Sequence, residues 1–106
     1  MSASYSLVIT TTGNKESARA LAAVLLTNRL AACVQILPVE SHYIWKDTIE
    51  QDEEYALHIK TKTENFPALR EAIRKVHDYE TPEIIRIDIA SGDQPYLDWI
   101  SKVATP

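Results

Sequence analysis

The order of strand-like and helix-like segments predicts an α+β fold, a ferredoxin-like βαββαβ sandwich with a long hairpin of its second and third strands and an added C-terminal helix. Two observations support this class. Strand-like segments alternate apolar and polar residues, whereas helix-like segments repeat apolar residues at helical spacing. The chain has only two glycines, each between a strand-like and a helix-like segment. Its 106 residues, 45% of them hydrophobic and 25% charged, indicate one globular domain spanning 1–106.

The first strand and helix are marked by a change of period. Tyr5, Leu7 and Ile9 alternate along a strand that we predict to run from Tyr5 to Thr10. Asn14 is a residue type that caps helix N-termini, so the first helix should begin directly after it. The apolar positions of that helix are Ala18, Leu21, Ala22, Leu25 and Leu26.

The second and third strands should form the long hairpin. The second strand starts near Cys33 and ends at Trp45, with Pro38 inside it. Because proline lacks an N–H, this strand either lies at a sheet edge or contains a bulge. Residues 46–54 hold five acidic residues and one basic residue, and are predicted to be the hairpin tip. The third strand is then predicted from Tyr55 to Lys62.

Two prolines and an asparagine delimit the remaining elements. Asn65 can cap a second helix that has Pro67 in its first turn. The apolar stripe of this helix is Phe66, Leu69, Ile73 and Val76. Pro82 precludes helix at the preceding residue, so a fourth strand is predicted over 84–89. A last helix, 95–103, should turn Tyr96, Trp99, Ile100 and Val103 inward.

Composition excludes several classes of partner. The formal net charge is −4, and no segment has a strong basic surplus, so nucleic acid and anionic membranes are not expected partners. No apolar run approaches the ~18 residues of a membrane span. The first charged residue is Lys15, so no secretory signal is expected. Cys33 is the only cysteine, which favours a reduced, cytoplasmic location.

The run from His77 to Glu83 is the richest in chemistry. It holds an imidazole, a phenol and three carboxylates, which could bind a cation or perform acid–base work. Alternatively, His77 only caps the end of the second helix. Lys60 lies on a polar strand face, where it is either solvated or holds an anionic ligand. Cys33 is either a small buried hydrophobic residue or a catalytic thiol. The sequence specifies no reaction.

Five segments together are similar to a known family. They are Leu30-Ala31-Ala32-Cys33-Val34, Tyr43-x-Trp45, Lys60-Thr61, His77-x-Tyr79-Glu80-x-Pro82-Glu83-Ile84 and Tyr96-Leu97-x-Trp99. In order and spacing they resemble the CutA divalent-ion tolerance proteins, from about Leu7 to Trp99. The apolar residues Tyr43 and Trp45 along the overhanging hairpin already indicate that another subunit covers them. The resemblance implies that this assembly is a homotrimer, PII-like in fold and assembly, with both residues at the trimer interface. It also implies tolerance to divalent metals, copper in particular, and no accepted enzymatic reaction.

The sequence also departs from this family. Asp47 stands where relatives usually have glycine, so a different turn is expected at the tip. Some relatives carry a cysteine at the end of the first strand and two adjacent histidines after the second helix, where this chain has Thr10 and Val76-His77. Because copper favours thiolate and imidazole ligands, the departure predicts weak rather than tight binding.

Two functions follow from the resemblance. The first is a non-enzymatic, cytoplasmic trimer involved in the response to divalent metal ions such as copper, with weak binding by His77 and Glu80 and no obligatory cofactor. The alternative is a PII-like sensor. In it, Lys60, Tyr79 and Glu83 would bind a small anionic metabolite in a cleft between subunits.

Overall fold

The fold is described for residues 4–106 by a computed structural model. The strands and α-helices of this part are, in chain order, β1 (Tyr5–Thr12), α1 (Lys15–Thr27), β2 (Cys33–Trp45), β3 (Thr48–Lys62), α2 (Phe66–Val76), β4 (Ile85–Ile89) and α3 (Gln94–Val103). The strands form one antiparallel sheet in the order β2-β3-β1-β4. The predicted α+β, ferredoxin-like fold with its long hairpin and C-terminal helix is confirmed.

The main core lies between one face of the sheet and helices α1 and α2. Val8 of β1 and Leu57 and Ile59 of β3 are completely buried there. The helices contribute Ala18, Leu21, Leu25, Leu69 and Ile73. Since side chains alternate along a strand, Leu7 and Ile9 point to the opposite face. We call the surface on that side, made of Leu7, Ile9, Leu37, Ile85 and Ile87, the open sheet face.

Helix α1 begins as the sequence predicts. The Asn14 side chain accepts a hydrogen bond of 2.8 Å from the backbone N–H of Ser17. After α1, Arg29 has a φ of 57°, and the N–H of Leu30 bonds to the carbonyl of Leu25 at 2.9 Å. This left-handed residue turns the chain sharply into β2. Leu26 is 41% exposed, so its predicted place in the apolar stripe is wrong.

The hairpin corrects the sequence prediction in one respect. The pairing of β2 with β3 is continuous from Cys33↔Lys60 to Trp45↔Thr48, and β2 is an edge strand, so Pro38 sits at an edge without a bulge. The turn itself is only Lys46 and Asp47, with φ values of 49° and 64°. Residues 48–54 therefore belong to β3 and not to the tip. A two-residue turn with both φ values positive matches strand twist, which lets pairing continue to the end of the hairpin.

We expect Asp47→Gly to stabilise the protein by about 1 kcal/mol, because glycine has no steric cost at positive φ. Urea unfolding at a fixed protein concentration measures the change. Thr48→Gly is the matched control, because Thr48 is the first residue of β3 and a glycine in a strand destabilises. A lower unfolding midpoint for Asp47→Gly would show that the turn does not strain this residue.

The start of α2 also differs from prediction. Asn65 precedes the helix, but its amide does not cap it. Instead the amide donates hydrogen bonds to Thr61 Oγ1 at 3.2 Å and to the carbonyl of Ala104 at 2.8 Å. It thereby ties the end of α3 to the sheet. Val76 is exposed, so the apolar stripe of α2 ends at Ile73.

Helix α3 packs at one end of the open sheet face. Ile100 is buried, and the Tyr5 hydroxyl lies 2.6 Å from Ser101 Oγ. Tyr96 and Trp99 were predicted to face inward, but each is 41% exposed, because α3 covers only part of that face. Of the helices in residues 4–106, none has the length and apolarity needed to cross a membrane.

Candidate functional site

A cavity of about 620 Å³ lies between the hairpin and the loop of residues 77–84 that joins α2 to β4. It is lined by Thr11, Glu40, Ser41, His42, Tyr43, Trp45, Glu54, Tyr79, Glu80, Thr81 and Glu83. We call it the hairpin cavity. Among these lining residues four are glutamates and none is lysine or arginine. The cavity is therefore a site of negative potential.

His77 fixes the loop that forms one wall of this cavity. Its side chain is only 1% exposed, and its Nε2 lies 2.7 Å from the carbonyl oxygen of Thr11. Its Nδ1 accepts a hydrogen bond of 3.1 Å from the N–H of Tyr79. A carbonyl can only accept and an N–H can only donate, so the ring is assigned as the neutral tautomer with the proton on Nε2. His77 stands at the C-cap position, but its ring bonds to β1 and to its own loop.

This bonding bears on the predicted metal ligands. Both ring nitrogens of His77 are engaged, so a metal could bind there only after a hydrogen bond breaks. Glu80 is exposed and lines the hairpin cavity. Within the described part of the chain, no group of three or more His, Cys, Asp or Glu side chains is arranged to hold a metal ion. The pair His77 and Glu80 stays a prediction.

Tyr79 joins the loop to the hairpin. Its hydroxyl donates a hydrogen bond of 2.8 Å to Oε2 of Glu54, a residue that is only 8% exposed. Burial, followed by this hydrogen bond, raises the pKa of Tyr79, so the phenol stays protonated and remains a donor at neutral pH. A Cβ at Gly13 would lie 3.2 Å from the Tyr79 hydroxyl, so the absent side chain of Gly13 makes room for the ring.

Polar contacts also hold the hairpin side of the cavity. The Tyr43 hydroxyl donates to Asp52 on the neighbouring strand, and this hydrogen bond is the main cause that raises the pKa of Tyr43 to about 12. His42 Nε2 lies 2.7 Å from Glu40 Oε2. These contacts fix the directions of Tyr43 and His42 at the edge strand.

The predicted ligand-binding residues are only partly brought together. Tyr79 and Glu83 both line the hairpin cavity. Lys60 does not, because it lies on β3 with its ammonium 5.5 Å from the centroid of the Tyr96 ring on α3. A site that uses all three residues would need a second subunit, so this prediction stays open.

The predicted interface residues lie on the projecting hairpin. Tyr43 and Trp45 are each 39% exposed, and the Lys46 ammonium stands 5.8 Å from the Trp45 ring centroid. The molecule, with the hairpin included, measures 46 × 26 × 21 Å and is therefore elongated. Uncovered aromatic side chains on a long edge are suited to contact another chain, and the assignment remains a prediction.

Two residues of the site were missed at the sequence level. Glu54 was assigned to a solvated tip, but it is buried next to Tyr79. Gly13 was noted only as a boundary between elements. The strand-like run Tyr55-Ala56-Leu57 directly follows Glu54, so the sequence allows Glu54 to lie in the strand, but it gives no signal that the side chain is buried.

Comparisons with known proteins cover nearly the whole chain. The family model described as CutA1 divalent ion tolerance protein matches residues 6–103. A divalent-cation tolerance protein CutA from Thermus thermophilus is 42% identical over 95 residues, which is 89% of this chain and 92% of that protein. Protein CutA of Mus musculus is 41% identical over 101 residues, 94% of this chain but 57% of the mouse protein.

A solved structure gives the same result for the fold. The structure of the periplasmic divalent cation tolerance protein CutA from Archaeoglobus fulgidus superposes with a TM-score of 0.93 at 36% identity. The match covers 95% of this chain and 99% of that chain. The shared fold therefore includes the hairpin, the loop of residues 77–84 and α3.

Proposed function

This chain belongs to the CutA1 divalent ion tolerance protein family, and on that basis we propose that it is a non-enzymatic, cytoplasmic homotrimer that contributes to tolerance of divalent metal ions, copper among them, by binding them weakly. The observation that supports cation binding most directly is the hairpin cavity, with four glutamates and no lysine or arginine among its lining residues. Carboxylates are good ligands for hard divalent ions.

In this proposal the exposed carboxylates of the loop provide the ligands. Glu80 and Glu83 are exposed, line the same cavity and follow Tyr79, whose position is fixed by His77 and Glu54. His77 then acts as the anchor of the loop, because its nitrogens are occupied. Carboxylate ligands on a short exposed segment, with water completing the coordination, bind a metal ion weakly. This agrees with Thr10, which stands where some relatives have a cysteine that could supply a thiolate ligand.

The homotrimer is supported by uncovered apolar surface. Leu37, Ile85 and Ile87 on the open sheet face are each more than a third exposed, and Tyr96 and Trp99 extend the same patch. An apolar patch of this kind marks an interface between proteins. The cytoplasmic location is supported by Cys33, a free cysteine of a chain that has no second one to pair with.

The sensor for an anionic metabolite gains no support from the cavity. Its negative lining repels anions, and the one basic residue assigned to that sensor, Lys60, lies against Tyr96 instead. We therefore do not propose it for this cavity.

We expect copper(II) to bind the assembled protein weakly, with a dissociation constant of about 0.1–1 mM, comparable to that of weak calcium sites built from oxygen ligands, and Glu80→Gln to weaken binding several-fold. Isothermal titration calorimetry at neutral pH gives the affinity, and native mass spectrometry gives the number of ions per subunit. Glu71→Gln removes the same charge from the exposed side of α2 and should leave the affinity unchanged.

Equal affinity in Glu80→Gln and in the unaltered protein would contradict the proposed site. A monomer in the same mass spectra would contradict the assembly. Since the two measurements are separate, either half of the proposal can fail alone.

A further inference from the structure

We propose that the hairpin cavity binds a small organic cation, a ligand with a primary ammonium group on an apolar body, with the ammonium paired to Glu54 and the body against Tyr43 and Tyr79. This ligand class goes beyond the divalent cation proposed above and does not depend on it, because it uses the buried carboxylate and the aromatic walls.

The incomplete bonding of Glu54 carries the proposal. Glu54 is more than nine-tenths buried and lines the cavity. Tyr79 donates to its Oε2, but within residues 4–106 nothing donates a hydrogen bond to Oε1, and no cationic side chain pairs with the carboxylate. Oε1 is therefore free to accept from a ligand in the cavity, and an ammonium group offers both a complementary charge and the donors.

The aromatic residues of the cavity favour an organic ammonium ion over a metal ion. Tyr43, Trp45 and Tyr79 line the same cavity as Glu54. A hydrated metal ion gains little from such walls, whereas an ammonium group is attracted to ring faces and an apolar body packs against them. The chain already shows this contact at the cavity rim, where the Lys46 ammonium lies 5.8 Å from the Trp45 ring centroid.

Volume and charge agree with this choice. The cavity of about 620 Å³ falls in the range of small-molecule sites and exceeds what one metal ion fills. The surrounding Glu40, Glu80 and Glu83 add negative potential, which attracts cations and repels metabolites that carry carboxylates or phosphates. Tyr43 and Trp45 are also the residues assigned to the trimer interface, so binding is tested on the assembled protein.

The test uses 1,4-diaminobutane as the probe and succinate as its four-carbon anionic counterpart. We expect 1,4-diaminobutane to bind the assembled protein in metal-chelated buffer, seen by calorimetry and as a rise in melting temperature, and succinate to give neither. In Glu54→Gln the affinity should fall at least about tenfold, because the carboxylate makes the charged hydrogen bond. Glu53→Gln removes the same charge one residue away, outside the cavity, and should change the affinity less than about twofold.

A second variant covers the case in which Glu54→Gln fails to fold. Tyr43→Leu removes an exposed aromatic wall, and it should weaken binding by about threefold or more. No binding of 1,4-diaminobutane by the unaltered protein, or equal weakening by Glu53→Gln and Glu54→Gln, would overturn the proposal. If Glu54→Gln loses the trimer and 1,4-diaminobutane does not bind the unaltered protein, Glu54 pairs with a neighbouring subunit. That result would also overturn the proposal.

Discussion

We expect Ile87→Glu to leave the subunit folded but to convert the assembled protein into a monomer at micromolar concentration. Ile87 lies in the middle of β4 on the open sheet face, where it is 47% exposed and paired with Leu7 of β1. A glutamate there is harmless in a free subunit, because water reaches it. In the proposed trimer it would place a charge in each copy of a closely packed apolar interface, at a cost of several kcal/mol per charge.

Size-exclusion chromatography with light scattering measures the mass, and circular dichroism checks the fold. Ala20→Glu is the control, because Ala20 is an exposed residue of α1 on the other side of the sheet. The control should remain a trimer. A stable trimer of Ile87→Glu would show that the subunits meet elsewhere.

A companion variant separates two candidate interfaces. The sequence assigns the hairpin aromatic Trp45 to the interface, from the apolar face of the hairpin and from the family resemblance, whereas the open sheet face is evident only in the structure. Trp45→Ala removes apolar area without introducing a charge, so we expect it to weaken the trimer without abolishing it. If Trp45→Ala dissociates the trimer and Ile87→Glu does not, the hairpin is the main contact.

The fold was predictable because its signals are local. Asn14 caps α1 by its own side chain, Pro38 limits its strand to a sheet edge or a bulge, and the alternation of residues 55–62 gives the buried face of β3. The errors arose where long-range contacts compete with local rules. Asn65 has the residue type and position of a cap, but it bonds to Thr61 and Ala104, 39 residues away in the second case.

The candidate site was less predictable for the same reason. The sequence identifies Tyr79, Glu80 and Glu83 as a cluster, and all three line the cavity. It could not show that Glu54 lies beside Tyr79, because 25 residues separate them and they meet only through the tertiary fold, in which His77 holds the loop to β1 and β1 pairs with β3. Nor could it show that the nitrogens of His77 are already engaged.

We expect His77→Ala to lower the free energy of unfolding by about 2–4 kcal/mol, the largest loss among the polar residues of this site. The substitution leaves the part-buried carbonyl of Thr11 without its donor, which costs about 1–3 kcal/mol, whereas water can replace the partner of the exposed Tyr79 N–H. It also removes a ring that is 4.7 Å from that of Tyr79, centroid to centroid. Urea unfolding at a fixed protein concentration gives the value.

His42→Ala is the matched control, because its ring is 55% exposed and paired only with Glu40, so its loss should stay within about 0.5 kcal/mol. If His77 anchors the loop, His77→Ala should also weaken copper binding although Glu80 and Glu83 are unchanged. His77→Gln, which keeps a donor and an acceptor, should recover part of both losses. Copper binding lost equally in His77→Ala and His77→Gln, with both variants stable, would instead make His77 a metal ligand.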